Sequence, residues 1–248
     1  MTAGVTESGW VRDDVDGTPV RLLPPAEDSV GIVFVLPDGQ WPEPDDWQTL
    51  HDLVRAARLG AVVPDVRPWW IDRPDPALGR AESPLAFVAE KLVPSVSRRW
   101  PSPSRPAVLG VGFGGQGALQ LAYRFPQLFP IVAAISPAID FHRLHDSMPQ
   151  LQEWFETSER ARQETVTLRL HPLNWPPHQW FACSRGDWRF DGCERLASKL
   201  ASIGLPFTAD LETPGGPNFL AVQLRRAFQF VTARLNEPAT TREIRFGR

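Results

Sequence analysis

The residues whose types and spacing carry most chemistry run from Ala107 to Tyr123, AVLGVGFGGQGALQLAY. A short apolar run ends in five glycines within eight residues, Gly110 to Gly117, and an amphipathic run beginning Ala118-Leu119 follows at once. That is the outline of a strand, a tight turn and a helix, because glycine tolerates positive φ and lets backbones pass close together. Two kinds of chemistry use it. A G-x-G-x-x-G turn aims backbone N–H groups and a helix N-terminus at a pyrophosphate. A G-x-S-x-G turn holds a nucleophilic serine out on a sharp strand-to-helix corner. Gly110-Val111-Gly112-Phe113-Gly114-Gly115 matches the first pattern. A dinucleotide turn usually opens its domain, however, and here two strand–helix units precede it. Asp140, after the next strand, would serve as ribose carboxylate, but Ser136-Pro137 intervenes.

Other groups invite the same weighing. Cys183 ends an expected strand, and a thiolate beside a base is a nucleophile. No histidine follows in its loop, and a buried cysteine more often serves as a small hydrophobe. Ser136, in the segment SPAID, lies at the tip of the strand after the glycine turn. His142-x-x-His145-Asp146 is the one histidine cluster, and its spacing puts both imidazoles on one helix face. No third ligand is near, so the reading is two histidines on a solvated loop and no metal site. His51, His171 and His178 are isolated and read as ordinary surface or strand-edge residues. Trp41, Trp69, Trp70, Trp175 and Trp188 fall in or beside loops expected at strand carboxyl ends. Aromatic walls there suit a sugar, an aryl ester or an apolar ligand, while mutual packing of Pro- and Trp-rich loops is the plainer use.

The elements that must position these groups alternate. Val30–Leu36 is a continuous apolar run, as expected of a strand buried on both faces of a parallel sheet. Asp45–Leu59 reads as a helix with Trp47, Leu50, Leu53, Val54 and Ala57 on one face, Asp45 or Asp46 as N-cap and Gly60 as the stop. Ala61–Val66 is the next strand. Ser83–Trp100 is helical by spacing, with Pro94 expected to bend it or reset its start. After the glycine element come a strand at Ile131–Ile135, a helix over Pro149–Glu164 and a strand at His178–Cys183. A helix over Asp191–Ile203 closed by Gly204, a strand at Phe207–Leu211 and a helix over Asn218–Leu235 complete the order. The pattern predicts one α/β domain with a doubly wound, mostly parallel sheet of about six strands. Functional groups then gather in the turns 37–40, 110–117, 136–141, 184–191 and 212–219. Residues 1–27 read as a partly irregular lead-in holding one short edge strand at Pro19–Leu23, 28–236 as the domain, and 237–248 as a polar tail.

Composition narrows the classes. A chain of 248 residues with 42% apolar residues can build a large core, and a formal charge of −3 gives no reason to expect nucleic acid or an anionic membrane as partner. The opening MTAGVTESGWVRDDVDG is polar and acidic, and the longest apolar runs fall far short of a membrane span. Two cysteines do not make a disulfide framework. A soluble, cytoplasmic protein is the expectation.

Residues 30–141 resemble the esterase D and enterochelin-esterase group of α/β-hydrolases, which takes in S-formylglutathione hydrolases and feruloyl esterases. The matching pieces are VFVLPDGQW, FVAEKLVPSV, GVGFGGQGAL and FPQLFPIVAAISPAID, followed by CSRGDWRFDGCERLASKLASIGLPF and ETPGG. The resemblance covers about four-fifths of the chain in order. It implies an α/β-hydrolase domain and a serine-esterase site without cofactor or metal. It also places that site's residues. The serine position falls on Gly112, the acid on Asp187 (with Asp191 as the lesser candidate), and the histidine on Pro217 in GGPNF. The oxyanion donors are backbone N–H groups, assigned to Gln40 and Phe113. In a serine hydrolase, removing nucleophile or base costs on the order of 10⁶ in turnover, about 8 kcal/mol. The expectation is therefore a degenerate esterase, a pseudohydrolase, that binds a small ligand or a protein partner, with Trp41, Trp69, Trp70 and Trp188 as ligand-contacting residues. The alternatives are an ester hydrolase with a non-standard nucleophile and a dinucleotide-binding protein.

Overall fold

In a computed structural model of the chain, the continuous apolar runs become strands buried along their length. The structure describes residues 9–39, 41–42, 46–65, 70–74, 82–102 and 104–237. Six strands run parallel: β3 (Gly31–Leu36), β4 (Leu59–Pro64), β5 (Ala107–Val111), β6 (Ile131–Ile135), β7 (His178–Ala182) and β8 (Thr208–Asp210). Two more, β1 (Val11–Val15) and β2 (Thr18–Leu23), form an antiparallel hairpin that docks on β4. The sheet order is β1-β2-β4-β3-β5-β6-β7-β8.

Helices cover both faces, as parallel strands buried on two sides require. One apolar layer packs α1 (Asp46–Ala56) and α8 (Phe219–Leu235) on the sheet through Leu50, Val54, Leu224, Phe228 and Val231. The opposite layer packs α2 (Pro84–Ala86), α3 (Val93–Arg99), α4 (Gly112–Arg124) and α7 (Phe190–Ser202) through residues such as Leu85, Val96, Leu119 and Leu196. On that face the buried Tyr123 hydroxyl donates to Gln179 Oε1 at 2.7 Å, and burial pushes its ionisation far up. Between β6 and β7 lies a cap of short pieces: a 3-10 helix at Phe141–Ser147, α5 (Pro149–Trp154) and α6 (Ser158–Arg162). A small core of Ile71, Phe141, Leu151, Phe155 and Ala161 holds it, with Phe113 of α4 packed against it.

Several local expectations need correction. The lead-in is a strand pair joined at Asp16-Gly17, both at positive φ, as a tight hairpin turn demands. The first helix ends before Arg58, which takes φ 53, whereas Gly60 lies inside β4. Pro94, by contrast, does reset the helix start, standing in the first turn of α3, where a missing N–H costs nothing. A π-helical stretch, Phe87–Leu92, runs directly into it, the wider turn accommodating a residue with no N–H to give. The expected helix over 149–164 breaks at Phe155–Thr157, where the Thr157 hydroxyl accepts from Arg160 N at 3.2 Å and starts α6. α4 begins at Gly112 rather than Ala118, so the later glycines of the run form its first turns.

Candidate functional site

β5 delivers the chain to Gly112, which takes φ 56, and α4 leaves from that residue. This is the geometry of a nucleophile elbow: a strand-to-helix corner whose first residue sits in the left-handed region. Gly114 meets a different demand. A Cβ there would lie 1.9 Å from the Leu36 carbonyl oxygen, so the glycine serves close packing against β3 and opens no phosphate cradle. The Phe113 N–H belongs to the first turn of α4, among the amides that a helix's own ladder does not use.

A side chain at 112 would collide with Asp38. Its Cβ would fall 2.1 Å from Asp38 Oδ2 and 2.8 Å from Asp38 Cβ. The carboxylate at the end of β3 thus occupies the room above the elbow. Asp187 lies in the loop after β7. Its Oδ1 accepts from the Arg189 backbone N–H at 3.0 Å and from Arg189 Nε at 2.8 Å. Burial pushes the Asp187 carboxyl up, but the Arg189 hydrogen bonds and charge outweigh that and hold it below the ordinary range. The same guanidinium reaches Asp38 Oδ2 at 3.8 Å. An Asp187–Arg189–Asp38 ion chain therefore reaches from the β7–α7 loop to the space above Gly112.

These groups line a cavity of about 350 Å³ at the carboxyl ends of the strands. Its walls include Asp38, Trp41, Asp46, Ser136, Asp187, Arg189 and Pro217, with Phe219 and Leu220 beside them. No histidine is among the described wall residues. Pro217 lies in the exposed loop before α8, next to Gly216 at φ 141. Ser136 sits at the tip of β6 in a strained backbone, φ 43, and its N–H donates to the Ala182 carbonyl at 2.6 Å.

The remaining candidates separate. Trp41 is a wall of the cavity. Trp70 is 1% exposed, donates from Nε1 to the Pro37 carbonyl at 2.8 Å, and packs into the core rather than facing the cavity. Trp188 is 43% exposed and lies under the Arg189 guanidinium, outside the described wall. Gln40 and Trp69 lie outside the described residues. Asp191 faces outward to Arg143 at 3.1 Å, and Asp140 is buried in an ion pair with Arg195, so neither joins the cavity. Cys183 is fully buried beneath it. The solvated-loop reading of the histidine pair fails at His145, which is buried in the cap. Its Nδ1 lies 3.0 Å from Asp146 Oδ1 and its Nε2 2.9 Å from the Phe155 carbonyl. Among the described residues no group of three or more His, Cys, Asp or Glu side chains converges as a metal site would need. Asp38, Asp46 and Arg189 carry no site signal of their own in the sequence, although Asp38 and Arg189 stand in two of the turns expected to gather functional groups. Spacing alone does not reveal that Arg189 turns back on Asp187.

An eight-stranded, mostly parallel sheet, helices on both faces and an elbow after its central strand define the α/β-hydrolase class. Residues 33–199 match the family model described as "Putative esterase", and the chain belongs to that family. No curated protein sequence matches it. Among solved structures it is similar to an S-formylglutathione hydrolase from Agrobacterium tumefaciens, with TM-score 0.67, 13% identity and 95% and 99% of the two chains covered. It is likewise similar to an S-formylglutathione hydrolase from Staphylococcus aureus (TM-score 0.69, 12% identity, 93% and 97% covered) and to a ferulic acid esterase (0.66, 15%, 88% and 93%). At these identities the likeness is one of fold. Among the described residues, no helix is long and apolar enough to cross a membrane.

Proposed function

We propose that this chain is a catalytically degenerate esterase-like α/β-hydrolase whose cavity at the strand ends binds a small ligand. The observation that carries the reading is the filled space above Gly112. Asp38 stands where a side chain at 112 would be, and Arg189 ties it to Asp187. Arginine stays protonated, so it cannot take the proton that a general base must take. The elbow, the Phe113 amide and the Asp187 carboxylate thus stand around a site with no nucleophile–base pair among the described residues. The cavity favours a small ligand over a protein partner, and the Trp41 ring offers it an aromatic wall. Acyl compounds with an aryl group, of the kind named for the ferulic acid esterase, suit that wall.

A second reading, hydrolysis by a non-standard nucleophile, has one observation in its favour: Ser136 lines the cavity in a strained backbone. The test is turnover of short-chain and aryl p-nitrophenyl esters by the purified protein. The degenerate reading expects no turnover above the solvent rate. Robust turnover abolished by Ser136→Ala or Cys183→Ala would overturn it and identify the nucleophile.

A further inference from the structure

A second cavity, of about 440 Å³, lies at the amino ends of the strands, away from the elbow. Ile32 near the start of β3, Pro106 just before β5 and Leu128 ahead of β6 fix that position. Ile32, with Val93 and Val96 of α3, gives it a floor of buried apolar side chains. Half-buried Trp100, which follows α3 directly, is an aromatic wall. The volume falls within the range of small-molecule sites, which join a mostly apolar body to a few placed polar groups. The polar groups here are donors in excess. Among the described walls Arg105 alone is charged, and none is a carboxylate. Ser104 donates to the Val30 carbonyl at 3.2 Å, so it is the acceptor in its 3.3 Å contact with Ser102. The Ser97 hydroxyl, the Trp100 indole N–H and the Arg105 guanidinium have no partner among the described residues. The neighbouring cation is engaged elsewhere: Arg99 pairs with Asp13 and lies over the Trp100 ring, 5.4 Å from its centroid.

We propose that this cavity is a second ligand site, which takes a small aryl carboxylate with its ring against Trp100 and its carboxylate on Arg105. Charge complementarity selects the head group. A guanidinium presents its donors as a fixed planar fork, and a carboxylate meets that fork with two parallel hydrogen bonds. The Ser97 hydroxyl and the Trp100 indole N–H are further donors on the same walls, and no acidic wall repels the anion. The body of the ligand follows from the apolar lining. A flat ring covers the Trp100 face and the Val93–Val96 floor with little loss of conformational freedom. A cationic ligand would meet Arg105 as a like charge, and a neutral one would leave the guanidinium unpaired. The site stands at the opposite ends of the strands from Gly112, so it is independent of whether the elbow cavity binds a ligand or turns one over.

The test is cinnamate titrated into the full-length chain and followed in nitrogen–proton correlation spectra that include the tryptophan indole signals, with Trp100→Phe assigning the signal of interest. The expected result is a saturable shift of the Trp100 indole N–H and of the Val96 to Trp100 amides, with a dissociation constant on the order of 1 mM. Arg105→Gln, a change at an exposed side chain, should weaken binding about tenfold or more. Cinnamyl alcohol, which keeps the ring and lacks the charge, should bind the wild type more weakly by the same factor, a comparison that needs no variant. These results support the site whether or not signals near Trp41 also move. The absence of a saturable shift at Trp100 up to the solubility limit of cinnamate would overturn the proposal. So would shifts confined to the surroundings of Trp41 and Arg189, which would assign the aryl acid to the elbow cavity instead. An affinity that stays within about threefold in Arg105→Gln, or with the alcohol, would also overturn it.

Discussion

On the proposed reading, the elbow and the loop before α8 are where a serine esterase would keep its nucleophile and its base, and the two are built differently in this chain. Gly112 is buried, takes φ 56 and starts the helix that packs against the middle of the sheet. The loop 214–218 is exposed throughout and packs little. The elbow is a device of backbone geometry, and the fold requires it whatever side chain it presents. The base loop is a device of one side chain, with little of the fold resting on it. Selection on folding alone would preserve the first and release the second.

The largest effect should come from challenging the elbow. Gly112→Ala places a Cβ in contact with Asp38 and an L-residue at positive φ, with an expected loss of about 2–4 kcal/mol in urea unfolding. Asp38→Gly in the same chain should recover the steric part and leave about 1–2 kcal/mol of backbone cost. A neutral Gly112→Ala would break the comparison. Next in size is Arg189→Met, which takes the guanidinium donor and its charge from half-buried Asp187, leaves it the backbone N–H of residue 189, and should cost about 1–2 kcal/mol. Because Asp187 titrates below its unfolded value, its contribution is present above about pH 4 and lost as the pH falls through the lowered folded value. Arg189→Met should flatten that acid limb in pH-dependent urea titrations.

The cap tests the same contrast from the opposite pH side. His145 faces two acceptors, Asp146 and the Phe155 carbonyl, and the hydrogen bonds to them raise its affinity for the proton. Its contribution is complete below the unfolded value of about 6.5 and disappears as the pH rises through the raised folded value. The protection factors of amides over residues 141–155, with the intrinsic base-catalysed rate divided out, should fall above neutrality, and His145→Gln should remove that fall. The smallest effect belongs to the base loop: Pro217→His should change stability by no more than about 0.5 kcal/mol. A larger loss would show that the loop carries structural weight after all.

What is legible in the sequence divides along the same line. The parallel core can be read because buried strands are continuous apolar runs, as Val30–Leu36 and Ile131–Ile135 show. The hairpin at β1–β2 escapes such a reading because VRDDV is too polar to announce a strand; its Asp16-Gly17 turn is the available signal. The cap reads as one helix because Leu151, Trp154 and Phe155 keep helical spacing across a break that Thr157 imposes. The elbow can be placed from its glycines. That Asp38 fills the space above Gly112 and that Arg189 joins it to Asp187 are facts of tertiary approach between three strand ends, on which local spacing is silent.

The most direct test of the central claim is a fluorophosphonate probe, which labels an activated serine, applied to the wild type beside Gly112→Ser/Asp38→Gly/Pro217→His. The account predicts no labelling of the wild type and labelling at position 112 in the triple variant, with measurable p-nitrophenyl acetate turnover. Stoichiometric labelling of the wild type, at Ser136 or any other serine, would contradict it and make this chain a working hydrolase.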